Sequence, residues 1–440
     1  MKYRSTRGRA PSLAFDDVIL EGLAKDGGLY VPETWHNFSK PKLEQLATKS
    51  YKDLTVEILS PYIAGVISLP DLQNIVEEAY RPFTHPAIAP IRQLADNEWL
   101  LELYSGPTLA FKDYALQLVG KLFEHVLKAK GNPITIVGAT SGDTGSAAIE
   151  ACRDKDLIQI FMLHPKDRIS EIQRRQMTTV KASNVHNIAI SGTFDDCQNI
   201  VKVLFADNSF NRKYNLAAVN SINWARILAQ VVYYFWAGLA VGTYDRKVVF
   251  SVPTGNFGNV FAGYAAWRMG LPIEKLIVGS NRNDILTRFF NSGQMAISKV
   301  VPTISPSMDI QVSSNFERLL FEYCECDGEI VTKLMEALKT NRSTKIRNGQ
   351  LVEMLKLFES YSVDDEVTKF TINEVYNDTG MLIDPHTAVG LAAAKQRSAN
   401  KNCPVITIAT AHPGKFPEAV ELATNIRPNL PDGFKNILNN

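Results

Sequence analysis

The stretch Ile134-Thr-Ile-Val-Gly-Ala-Thr-Ser-Gly-Asp-Thr-Gly145 decides the fold. Ile134–Val137 is a short, β-branched apolar run that reads as a buried strand, and the Ala-rich Ser146–Cys152 reads as a helix. Outward from it the pattern repeats. Strands are predicted at Gln159–Leu163, Val185–Ile190, Leu216–Val219, Val248–Val252, Leu276–Gly279 and Val405–Thr410. Between and after them, helices are predicted at Ile169–Val180, Phe194–Phe205, from Ile222 onward, and at Val260–Met269, Asp284–Phe290, Thr387–Gln396 and Pro417–Thr424. Short apolar strands alternating with helices imply an α/β chain with parallel sheets covered by helices on both faces. Such folds bind ligands where strands end and loops lead into helices.

The chain has 440 residues, enough for two or three domains. Lys and Arg number 47 against 46 Asp and Glu, so the net charge of +1 lacks the basic excess of a general nucleic-acid binder or a polybasic membrane anchor. No apolar run follows the charged start, which does not read as a secretory signal. The longest apolar stretch, Ala229 to Tyr244, falls short of the ~20 residues of a membrane span and reads as a buried helix. Five scattered cysteines without zinc-ligand spacing read as reduced thiols of a cytoplasmic protein.

Residues 1–95 read as a mainly helical region, with amphipathic pieces at Lys42–Tyr62 and Leu69–Tyr80. Pro82, Pro86 and Pro90 then mark a boundary, because proline removes a donor and restricts the residue before it. Residues 96–240 are expected to form a smaller αβ domain and 241–440 a larger one, the latter with a helical, charged insertion at about 313–378.

Three loops and one lysine carry chemistry. Gly138–Gly145 offers small residues, hydroxyls and a helix N-terminus to an anion, although a plain strand-to-helix turn has the same look. Pro253-Thr-Gly-Asn-Phe-Gly-Asn259 repeats the arrangement with Gly255 and Gly258, whose backbone freedom suits an anion cradle. It is neither a Walker loop nor GxGxxG, which argues against a nucleotide-binding dehydrogenase. Ser221, Asn223 and Arg226 open the helix after Ile222, where a guanidinium fork and helix N–H groups match phosphate oxygens; helix capping plus a surface arginine is the plainer alternative. Lys112 sits among Leu109, Ala110 and Phe111, surroundings that lower an amine's pKa and make it a nucleophile, or else it is one surface lysine paired with Asp113 or Glu102.

Phe-Lys-Asp113, Ser-Gly-Asp-Thr-Gly145 and Thr-Gly-Asn-Phe-Gly-Asn259, in that order, resemble fold-type II (tryptophan synthase β-like) pyridoxal-phosphate enzymes. The segments Tyr3–Gly8, Gly22–Pro32, Asn220–Arg226, Asp384–Gly390 and Ala409–Phe416 narrow the resemblance to the longer branch of the threonine synthase family, over nearly the whole chain.

The resemblance implies two αβ domains plus a helical N-terminal region, pyridoxal 5′-phosphate as cofactor and no metal. It implies a lyase of threonine biosynthesis that turns O-phospho-L-homoserine and water into L-threonine and phosphate, as a monomer or homodimer. Lys112 would hold the cofactor as a Schiff base and shuttle protons. Gly255, Asn256, Phe257, Gly258 and Asn259 would bind the cofactor phosphate, and Thr410 would face the pyridine nitrogen. Ser141, Gly142, Asp143 and Thr144 would grip the substrate carboxylate and the cofactor's 3′ oxygen. An anionic Asp143 beside that oxygen would repel it, so Asp143 is expected to be protonated or turned away. Ser221, Asn223, Arg226 and Lys415 would bind the substrate's phosphate. A threonine dehydratase would need no second phosphate site, and a catalytically dead sensor would not need Lys112. His386 and His412, each beside a proline, are expected to be structural.

Overall fold

The computed structural model describes residues 1–140, 142–167, 169–217, 221–398 and 402–434, apart from the Asp195 side chain. Its strands are β1 (Tyr3–Ser5), β2 (Tyr30–Pro32), β3 (Ile91–Ala95), β4 (Glu98–Glu102), β5 (Ile134–Ala139), β6 (Ile158–Pro165), β7 (Val185–Ile190), β8 (Leu216–Ala217), β9 (Val248–Pro253), β10 (Ile273–Ser280), β11 (Gln294–Ala296), β12 (Ser343–Lys345), β13 (Phe358–Ser362) and β14 (Val405–Ala409). The larger sheet has the order β13-β10-β9-β14-β4-β3 and the smaller one β7-β6-β5-β8. All neighbours are parallel except the edge pair β3–β4.

Alternation of side chains across the pleat explains the layering. Val248, Phe250 and Val252 enter the main core with Tyr234 and Phe261, whereas Val249 and Ile277 pack with Ala393 and Ala394 on the opposite face. Helix Trp224–Ala240 is buried along nearly its whole length, which accounts for the long apolar run. Among the described residues no helix is long and apolar enough to cross a membrane. All five cysteines are free thiols.

Three expectations differ from the structure. Lys42–Tyr62 is two helices, Lys40–Leu46 and Tyr51–Ile63, because the Ser50 hydroxyl accepts from the Asp53 N–H and caps a new start. The boundary near residue 96 does not separate the sheets. It falls between β3 and β4, which pair with each other, and β4 pairs with β14 in the larger sheet. The segment 313–378 is mostly helical but supplies β13, which pairs with β10 over Leu276↔Phe358 to Ser280↔Ser362. That edge strand, Phe-Glu-Ser-Tyr-Ser, is too polar to show the apolar run of a central one.

Arg318 ties the N-terminal region to the rest. It is completely buried, and its guanidinium donates to Tyr30 O, Asn315 Oδ1 and Ile222 O. Burial pushes its pKa down to about 9, with Glu317 opposing. Arg318→Met removes all three of these bonds at a fully buried position, so its unfolding free energy in urea should fall by about 3 kcal/mol.

Candidate functional site

The site begins where β14 ends. Phe111 N donates to Thr410 O at 2.8 Å and Ala110 bridges to Ala411, which laces the start of helix Lys112–Lys130 to the strand's carboxyl end. The turn before the helix is folded by Asp113, whose carboxylate accepts from Thr108 N (2.8 Å) and Thr108 Oγ1 (2.7 Å). Burial pushes the Asp113 carboxyl up to about 6 despite those two bonds. Lys112 is the first residue of the helix. Burial lowers its pKa first; Asp143 opposes this, and Lys415 and Arg226 add to it. The positive end of the helix dipole acts in the same direction as burial.

Asp143 opens helix Asp143–Cys152 after β5, as the strand–loop–helix reading requires. Its Oδ2 lies 3.3 Å from Lys112 Nζ, and its Oδ1 accepts from Lys415 Nζ at 2.7 Å and Gln173 Nε2 at 2.8 Å. Burial opposes its charge, yet Lys415, Lys112 and Gln173 outweigh that and hold it well below the usual carboxylate range. Asp143 thus faces the two lysines, and their charges favour its ionised form. Gly142 is held at φ 137°, and a Cβ there would meet the Gln173 carboxamide at 2.4 Å. Gly142→Ala should therefore displace Gln173, cost about 1–3 kcal/mol and lower the melting temperature measured by calorimetry. Thr144 is half-buried at the same helix start, and Ser141 lies outside the described residues.

The second cradle forms between β9 and helix Gly258–Arg268. Phe257, fully buried, caps that helix at φ 62° and ψ 0°. Ser313 Oγ donates to Gly255 O at 2.6 Å, and Ser314 Oγ to Asn256 Oδ1 at 3.3 Å. A Cβ on Gly255 would meet Ile310 Cδ1 at 2.9 Å, and one on Gly258 would meet Asn315 at 3.2 Å, so a side chain at either position would have to displace its neighbours. Asn259 accepts from the Tyr233 and Tyr234 hydroxyls (2.7 and 2.9 Å), while its buried Nδ2 has no partner among the described residues.

Asn315 joins the two loops that the sequence suggested for anions. Its Nδ2 donates to Asn256 O at 3.0 Å and to Ser221 O at 3.1 Å. The Asn223 side chain is committed to structure: it caps helix Trp224–Ala240 through the Ala225 N–H and donates to Ile19 O at 2.7 Å. Arg226, one turn on, differs from Arg318. It is also buried, but its Nε and Nη1 have no partner among the described residues. Burial pushes its pKa down to about 10. An isolated buried cation is costly unless an anion joins it.

Thr410 follows β14 and is buried, and its N–H donates to Thr387 Oγ1 at 3.3 Å. Thr387 and His386 both bond Asp384, and His386 Nε2 accepts from Ser307 N at 3.2 Å. His412 caps the turn Pro413–Lys415, and burial pushes its imidazole down to about 4. Thr108, Asp113, Gln173 and Asn315 were not singled out in the sequence. Ser170 and Gln173 show only a capping signature, and Asn315 sits in a segment expected to be an insertion, so neither position announces a site.

Residues 2–80 match the family described as threonine synthase N terminus, residues 85–354 the pyridoxal-phosphate dependent enzyme family, and residues 387–440 threonine synthase, C-terminal. Threonine synthase of Pseudomonas aeruginosa is 54% identical over 423 residues, covering 96% of this chain and 90% of the relative. The Saccharomyces cerevisiae enzyme is 44% identical, covering 99% and 90%. The crystal structure of pyridoxal-phosphate-bound threonine synthase from Brucella melitensis superposes with a TM-score of 0.98 at 48% identity, covering 100% of this chain and 94% of that one.

Proposed function

The chain belongs to the threonine synthase family of pyridoxal-phosphate-dependent enzymes, and from this we propose that the cleft at Lys112 converts O-phospho-L-homoserine and water into L-threonine and phosphate. The observation that carries the reading is Arg226. A buried guanidinium whose Nε and Nη1 have no partner among the described residues, close to a largely buried lysine of lowered pKa, suits a second phosphate besides the cofactor's. The residues present also fit the cofactor: an amine of lowered pKa, a tightly packed glycine loop, and a buried Asn259 Nδ2 without a partner among the described residues.

Lys112 would hold the cofactor covalently, the loop Gly255-Asn256-Phe257-Gly258-Asn259 would bind its phosphate, and Thr410 would meet its ring nitrogen with a neutral hydroxyl. When bound, pyridoxal phosphate supplies the electron sink that makes protons next to the reacting carbons acidic. The chain's own work is to place and move protons. Once its amine is free, Lys112 would take protons at Cα and Cβ of the substrate so that phosphate leaves from Cγ, and would return a proton to Cγ and, after water adds at Cβ, one to Cα. Gly142 and Thr144, with Ser141, would receive the substrate carboxylate at the helix start. Arg226 would hold the leaving phosphate together with Ser221, and Asn223 would contribute through the helix that it caps. Burial of Lys112 and Asp143 keeps bulk water from competing for those protons.

A smaller αβ unit built on β5–β8 and a larger one on the six-stranded sheet belong to the same proposal. So do a cytoplasmic location, a monomeric or homodimeric state and the lack of nucleic-acid partners, supported by the near-neutral charge and free thiols. Purified protein with pyridoxal phosphate and O-phospho-L-homoserine should release phosphate and L-threonine in equal amounts. A visible cofactor band without phosphate release would show that the substrate is a different amino acid.

A further inference from the structure

The Asp143 carboxylate lies between two ammonium groups and does not serve them equally. Its shorter contacts are with Lys415 at 2.7 Å and Gln173 at 2.8 Å, both on Oδ1, while Lys112 stands 3.3 Å from Oδ2. Lys415 has no exposed surface, and its Nζ also donates to Thr108 O at 2.7 Å. Thr108 is held in turn by Asp113, and its carbonyl accepts from Gln176 Nε2 at 3.1 Å. Lys415 is thus fixed from two sides, and its ammonium is taken up by groups of the protein.

We propose that Lys415 is a positioning residue for Lys112: it takes the Asp143 carboxylate as its own counter-ion and so frees the Lys112 amine to lose its proton. The inference rests on the reading of Lys112 as the amine that holds the cofactor. An amine that is the full partner of a carboxylate keeps its proton, and an ammonium is no nucleophile. The charged groups that face Lys112 are Asp143 at the start of helix Asp143–Cys152, Lys415 after β14, and Arg226 on helix Trp224–Ala240. Asp143 alone among them favours the ammonium, so whatever draws its charge away favours the free base. Asp113, the other buried carboxyl of the cluster, bonds Thr108 and stands by Lys415. In this arrangement Lys415 acts through Asp143 instead of meeting the substrate phosphate, the role that the family resemblance suggested for it.

The test follows the covalent coupling of pyridoxal phosphate to the apoprotein across a pH series. Borohydride trapping and peptide mapping identify the labelled residue. Lys415→Met should raise the midpoint pH of coupling by about one unit or more, the effect of an opposite charge at close range, which slows coupling about tenfold at neutral pH. Asp143→Asn should lower the midpoint. The double variant should lie close to Asp143→Asn and far from Lys415→Met, because without the carboxylate only the direct repulsion between Lys415 and Lys112 is left to lose. An unshifted midpoint in Lys415→Met overturns the proposal, and an accompanying rise in KM for O-phospho-L-homoserine would make Lys415 a phosphate ligand. A shift from Lys415→Met that is as large in the Asp143→Asn background as in the native one overturns it as well. Should Lys415→Met fail to fold by circular dichroism, Lys415→Gln and Asp143→Asn decide the matter by the same midpoints. A label on a residue other than Lys112 would instead remove the underlying reading of the site.

Discussion

Lys112→Ala should lose turnover by at least about a thousandfold and hold pyridoxal phosphate only reversibly. Two roles vanish with the amine: the covalent hold on the cofactor and the movement of protons at Cα and Cβ, and general acid–base groups alone contribute roughly 10²–10⁴. The fold should survive, because among the described residues the Lys112 ammonium meets only Asp143, at 3.3 Å, and the Phe111 ring, and the Asp143 carboxylate keeps Lys415 and Gln173. The glycine loop should still bind the phosphate. Dialysis should therefore strip the variant of cofactor but not the native protein, and borohydride should leave no label at this position. Cofactor that stayed bound through dialysis, or turnover within tenfold of native, would assign the chemistry to another group.

Arg226→Met should move stability and activity in opposite directions. The guanidinium is buried, with Nε and Nη1 unpartnered among the described residues, so the free protein carries the cost of a desolvated charge. An apolar side chain of similar length removes that cost, and the melting temperature of the substrate-free protein should rise. Added phosphate or substrate should raise the melting temperature of the native protein and leave the variant unchanged, since binding to the folded state stabilises it. KM for O-phospho-L-homoserine should increase by about a hundredfold, because a buried charged hydrogen bond to a ligand is worth about 2–5 kcal/mol. Affinity for pyridoxal phosphate should hardly change, since the Gly255–Asn259 loop is a separate cradle. A variant with native KM would show that the second phosphate site lies elsewhere. Sensitivity at Arg318, whose guanidinium has its acceptors, should run the other way, with stability lost and no gain from added phosphate.

The sequence by itself determined the alternating strands and helices from Ile134 onward, because central parallel strands are short, mostly apolar runs such as Val248–Pro253, in which Ser251 is the one polar residue. It also marked Lys112, the glycine loops and Arg226, since those depend on residue type and local order. What is set by partners far away in the chain could not be read from it. β3, β4 and β13 become sheet strands through pairing, not through an apolar run of their own. Asn223 reads in sequence as a phosphate ligand or a helix cap; it caps through the Ala225 N–H, and no local pattern shows its further bond to Ile19 O, 204 residues away. The charge of Asp143 is decided by Lys415 and Gln173, which no spacing connects to it. Tertiary structure decided these points because a buried group's protonation and free valence depend on what the fold places within a few ångströms of it. Chain order does not contain that information.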